Sequence, residues 1–121
     1  MKTVLLTGLI LLATQLHARI MPLQSCVDAA CEIAGVFSCD DSGELSGVRS
    51  ACKGNYDGGC VRLSCDKLGA FGCDTTAKVE RVARFCRHVT ASCIEEACNH
   101  VGILNCDQAS ELEQIAYNCR N

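Results

Sequence analysis

The sequence predicts an all-α fold of three tandem helical hairpins, each stapled by disulfides, and three observations carry that expectation. Twelve cysteines fall into one spacing used three times. Apolar residues recur at helical intervals between them, and a glycine and a Cys-Asp step punctuate each unit at the same place. The stretch CEIAGVFSCD at 31–40 returns as CDKLGAFGCD at 65–74 and as CNHVGILNCD at 98–107.

The cysteine register comes first. Cys26, Cys31, Cys39 and Cys52 are separated by 4, 7 and 12 residues. Cys60, Cys65, Cys73 and Cys86 keep that spacing without change, as do Cys93, Cys98, Cys106 and Cys119. The units therefore span 26–52, 60–86 and 93–119, with a period of 33 to 34 residues. A fixed period of that size points to one supersecondary element stacked on copies of itself.

Within a unit the pattern predicts two helices. Val27, Ala30, Cys31 and Ala34 share one helical face in the first unit. Val61, Ser64, Cys65 and Leu68 match them in the second, and Ile94, Ala97, Cys98 and Val101 in the third. Ser25 with Asp28, and Ser92 with Glu95, read as capping boxes at the helix start, while the middle unit offers only Gly59. Gly35, Gly69 and Gly102 then stand one past the last periodic residue, where a positive φ closes a helix C-terminus. The apolar pairs Val36-Phe37, Ala70-Phe71 and Ile103-Leu104 are expected to fold back as plugs on the hairpin tips. Asp40, Asp74 and Asp107 are expected to cap the second helix, whose inner face reads Leu45/Val48/Cys52, Val79/Val82/Cys86 and Leu112/Ile115/Cys119.

Helix geometry narrows the cysteine pairing. A first-to-second or third-to-fourth bridge would join distant points on one rigid helix. At ~1.5 Å per residue, nested bridges leave an axial mismatch of ~6 Å, whereas first-to-third and second-to-fourth bridges leave ~13 Å. The expected pattern is Cys26–Cys52 with Cys31–Cys39, Cys60–Cys86 with Cys65–Cys73, and Cys93–Cys119 with Cys98–Cys106. A rival pattern joins 52 to 60 and 86 to 93 and closes a ring through Cys26 and Cys119. In topology the nested arrangement resembles the disulfide-linked helical hairpin families, which use other spacings. By the chain-entropy estimate the wide loop contributes roughly 3 to 3.5 kcal/mol and the narrow one roughly 2.5. Such bridges rival the whole stability of a small domain.

Composition explains why they are needed. Residues 1–18, MKTVLLTGLILLATQLHA, carry Lys2, an apolar run and a small residue at the end, the plan of a secretory signal peptide. The remaining 19–121 form one domain, expected to be secreted and extracellular, with no membrane span. It has no Trp and only three Phe and two Tyr, so its core is thin and cross-links make up for it. Losing Lys2 leaves ten Lys and Arg against fourteen Asp and Glu, a net charge of −4 that argues against nucleic acid as a partner.

Few residues suggest chemistry. The cysteine gaps lack the matched close pairs of a zinc site, and one aspartate per hairpin is no cage for calcium, so neither metal nor cofactor is expected. His88 and His100 do not recur between units and no nucleophile–base–orienter set is readable, so no catalytic residue is assigned. Charge is the informative pattern: the units carry −4, +2 and −5. The middle unit concentrates Arg62, Lys67, Lys78, Arg81 and Arg84, either a basic site for an anionic partner or a seam matched to its acidic neighbours. The Gly-rich connector KGNYDGG at 53–59 offers Tyr56 as a contact. The candidate binding residues are thus Tyr56, Arg62, Lys78, Arg81 and Arg84. The expected function is non-enzymatic binding of an extracellular protein or receptor, toxin-like or signal-like. A structural component of an extracellular matrix such as shell, cuticle or mucus is the alternative.

Overall fold

The computed structural model describes residues 24–35 and 37–120. The expected signal peptide at 1–18 lies outside the described residues, and so does Val36 of the first apolar pair. Among the described residues there are six α-helices and no strand: α1 Cys26–Ala34, α2 Ser42–Ala51, α3 Gly59–Leu68, α4 Thr76–Phe85, α5 Ala91–Val101 and α6 Ala109–Cys119. A 3₁₀ turn over Ile103–Asn105 separates the last two.

The helix starts follow local chemistry, with three shifts from the sequence reading, the first being that Gly58 rather than Gly59 holds the cap position of α3, without a side-chain bond. Ser25 caps α1 by accepting from the Asp28 N–H at 3.1 Å. In the third unit the cap is Thr90, which accepts from the Cys93 N–H at 3.3 Å, rather than Ser92. On the second helices the cap sits one residue beyond the aspartate. Asp41 accepts from the Glu44 N–H and Thr75 from the Lys78 N–H, while Gln108 stands at the third such place without a side-chain bond. Capping needs an extended backbone at the cap residue, and Asp41, Thr75 and Gln108 have it, with φ of −125°, −129° and −124°. The Cys-Asp aspartates belong to the turn before it.

The stops are as expected in place and differ in conformation. Gly35, Gly69 and Gly102 have φ of 107°, 81° and 90° with ψ near ±170°. That region is essentially closed to any residue with a Cβ. No atom lies within 4 Å of where that Cβ would go, so the backbone and not crowding demands glycine.

Six bridges join the cysteines in the nested pattern, with Cα–Cα distances of 5.6 to 6.0 Å. No cysteine is free. The axial mismatch of two ideal helices disappears because the third cysteine of each unit lies in the turn, and Cys52 and Cys86 sit just past their helix ends.

The three helix pairs stack in two layers. α3 packs between α1 and α5 in one layer, and α4 packs against α2 and α6 in the other while also contacting α1 and α3. Val48, Val61, Val79, Val82, Ile94 and Leu112 fill the space between, with Ala30, Ala83, Ala116 and the half-cystines. The middle unit, covered on both sides, is the driest part. Cys60 and Cys86 are fully buried, and Ser64 Oγ lies 3.8 Å from the sulphur of Cys86. Ala30 and Ala97 hold that position in the outer units, where no hydroxyl is needed.

Candidate functional site

Stacking gives the molecule two long edges. One gathers the connectors between units, the other the tips of the three hairpins. Polar contacts between successive units confirm which is which. The Gly58 N–H donates to the Gln24 carbonyl at the connector edge. The Thr76 hydroxyl donates to the Ser38 carbonyl at the tip edge.

At the tips the described members of the expected plugs are exposed rather than folded back. Phe37, Phe71 and Leu104 hold the same offset from the first cysteine of their unit and are 81%, 80% and 81% exposed, with Ile103 at 84%. The reason is mechanical. Each tip is closed by a bridge between cysteines only eight positions apart. The seven residues inside so short a ring cannot turn a large side chain back over the helices, whose ends are already occupied by the bridge. The signal that would have shown this is the ring size itself.

A hollow of about 470 Å³ lies between the second and third tips, lined by Leu68, Phe71, Val82 and Ala109 with Lys78 and Arg81 at its rim. A wider one of about 800 Å³ lies between the first and second units, with Ile33, Leu63, Arg62, Asp66 and Asp74 among its walls. Both are open, apolar-floored and charged at the margin, the usual make-up of a contact surface.

The candidate binding residues fall into three places. Lys78 and Arg81 share the hollow beside Phe71. Tyr56 and Arg62 share a third hollow, of about 450 Å³, at the connector edge. Arg84 stands apart from both, 3.9 Å from Glu80. The cations are also paired. Arg62 contacts Glu32 of the first unit at 3.3 Å and hydrogen-bonds the Gln24 side chain, and Arg81 meets Glu113 of the third unit at 2.8 Å. Two of the middle unit's five cations thereby pair with its acidic neighbours. Tyr56 is 67% exposed and meets the His88 ring edge-on at 6.3 Å.

The tips differ electrostatically. Lys78 Nζ donates to Asp74 Oδ1 and to the Phe71 carbonyl, both at 2.8 Å. That hydrogen bond, with the ammonium charge behind it, holds the Asp74 carboxyl below its ordinary range. Glu44 takes the place of Lys78 in the first unit, where Asp40, Asp41 and Glu44 bring carboxylate oxygens within 4.8 Å of one another. Desolvation, then the charges of Asp41 and Asp40, push Glu44 up. One of its oxygens is buried without a hydrogen-bond partner. Three carboxylates from one turn still fall short of the six to eight oxygens calcium takes.

His88 and His100 are both exposed. The His88 backbone has φ of 57° and its N–H donates to the Gly54 carbonyl at 2.9 Å, so its place is in the stitching of the connectors. No helix among the described residues is long and apolar enough to cross a membrane. Comparison with protein-family models, with curated proteins and with solved structures finds no match for this chain.

Proposed function

We propose that this chain is a secreted, non-enzymatic binding protein, toxin-like or signal-like, that presents its tip edge to an extracellular target. The observation that supports the reading is the exposure of Phe37, Phe71 and Leu104 at one repeated position. Large apolar side chains left 80% bare three times over serve no packing purpose, and grouped exposed apolar residues mark interaction sites. The six bridges supply the rest of the design, a scaffold that keeps its shape in an oxidising medium without a large core. The signal-like leader at 1–18 supplies the export route.

The test is expression of the full-length chain in a secreting host, followed by binding of the labelled, oxidised product to intact cells. Recovery from the medium with six bridges, and cell binding weakened by Phe37→Ser, Phe71→Ser and Leu104→Ser together, is the expected result. Retention inside the host, or cell binding indifferent to all three changes, overturns it.

A further inference from the structure

Resting on that binding reading, we propose that the tip edge docks on a lipid bilayer with zwitterionic, choline-bearing headgroups. Phe37, Phe71 and the Ile103–Leu104 pair would enter the boundary between headgroups and acyl chains.

The mounting of these side chains suits insertion. Each stands on a turn closed by its own bridge and preceded by a glycine fixed at positive φ. In the middle unit Lys78 further pins the Phe71 carbonyl. A turn closed by a bridge has less backbone freedom to lose on contact. They also share one edge, since successive tips adjoin through Thr76 and Ser38 and through the hollow between Phe71 and Asp107.

The division of the apolar surface favours a bilayer over a protein as occupant. Four side chains of this size offer roughly 600 Å², taking ~150 Å² each. A stable interface needs ~800 Å² from each partner, continuous and shape-matched. Here the apolar surface is divided among three tips with hollows between them. A fluid bilayer closes around separate prongs without any complementary shape, and aromatic side chains settle at its interface.

Charge decides the headgroup. Around the tips stand Asp40, Asp41, Glu44, Asp107 and Glu111, and the outer units carry net charges of −4 and −5. An anionic surface calls for clustered Lys and Arg, whereas at this edge the carboxylates outnumber Lys78 and Arg81, which are themselves paired with Asp74 and Glu113. The outermost charge of a choline headgroup is a quaternary ammonium. Carboxylates attract it, and the faces of Phe37 and Phe71 accept it.

The chain contains no Trp, so Phe71→Trp makes a single reporter at the second tip. Added to phosphatidylcholine vesicles, the secreted variant should show a blue shift, and the wild type should float with them. Vesicles in which phosphatidylserine replaces part of that lipid should bind more weakly, most clearly at low salt. Each of Phe37→Ser, Phe71→Ser and Leu104→Ser should weaken binding roughly tenfold, the worth of one buried side chain. Six bridges by mass and unchanged helical dichroism would verify the fold of each variant. The proposal falls if phosphatidylcholine gives neither shift nor flotation, if binding survives the triple change, or if anionic vesicles bind better. It falls also if the tips mediate a dimer in sedimentation with no vesicle binding. Cell binding abolished by protease shaving, alongside silent vesicles, would remove the lipid and leave the extracellular-target reading. Binding to neither cells nor vesicles removes both.

Discussion

The two edges of the stack are built to opposite rules. Along the connector edge, units are sewn together by main-chain and side-chain hydrogen bonds. His88 donates to Gly54, Asn55 reaches the Ala83 carbonyl at 2.9 Å, Arg87 reaches Ser50, and Arg120 reaches Arg84 and Phe85. Along the tip edge, the described residues of neighbouring units meet through the long Thr76–Ser38 contact and the Arg81–Glu113 pair and otherwise leave hollows and bare apolar side chains. One edge carries the cohesion of the repeat, and the other is left free to be used. A thin-cored protein can leave one edge free because its bridges, rather than its tips, hold each hairpin closed.

The largest effect should come from cutting that support at the centre. Replacing Cys60 and Cys86 together by Ala removes a fully buried bridge spanning 26 positions and hollows the driest part of the core. A loss of about 4 kcal/mol in urea unfolding is expected, against about 2 for the paired replacement of Cys65 and Cys73, which closes a far shorter loop. Equal losses would mean the two bridges act through something other than loop length and burial.

Next comes a cut in the stitching. Asn55→Ala deletes hydrogen bonds to the Cys52 and Ala83 carbonyls, the second across the boundary between the first two units. Two part-buried bonds to main chain are worth about 1 to 2 kcal/mol. At the opposite edge Phe71→Ser should move stability by no more than about 0.5 kcal/mol, since the ring touches little. A tip change as costly as Asn55→Ala would show that the apolar prongs are structural after all.

Legibility in the sequence follows the same division. The cysteine register, the face Val48/Val82/Leu112 and the nested pairing were readable because helix rise and disulfide reach are stiff constraints with few solutions. The cap position of α2, α4 and α6 lies one residue past the aspartate, at Asp41, Thr75 and Gln108, a choice that residue type alone leaves open at Asp40-Asp41. Which one acts depends on which residue has the extended backbone, and that is Asp41. The tips were misread for a deeper reason. Periodicity says that Phe37 and Phe71 are apolar and leaves open where a seven-residue ring can point them, so an exposed residue there looks like a core residue. For the basic residues of the middle unit the sequence leaves two readings open, a basic site and a seam. Arg62 and Arg81 look like a binding patch in one dimension, and only packing brings Glu32 and Glu113 within reach.

The smallest effect separates the tips from one another. Asp74 and Lys78 form an opposite-charge pair one helical turn apart, and Asp40 and Glu44 put two like charges at the same spacing. The pH signs are therefore opposite. Asp74, held low by the Lys78 hydrogen bond, adds stability that is full above the ordinary carboxylate range and is lost as pH falls through it. Glu44, held high by desolvation and by Asp41 and Asp40, keeps its proton more tightly folded than unfolded, so stability drops as pH rises through its titration. Glu44→Gln should raise the urea midpoint at pH 7 and leave it unchanged at pH 3, where the carboxyl is protonated in both states. Glu44→Lys should go further at pH 7, since its ammonium can reach Asp40 as Lys78 reaches Asp74. A midpoint shift of equal size at both pH values would mean that Glu44 acts through its shape and not its charge.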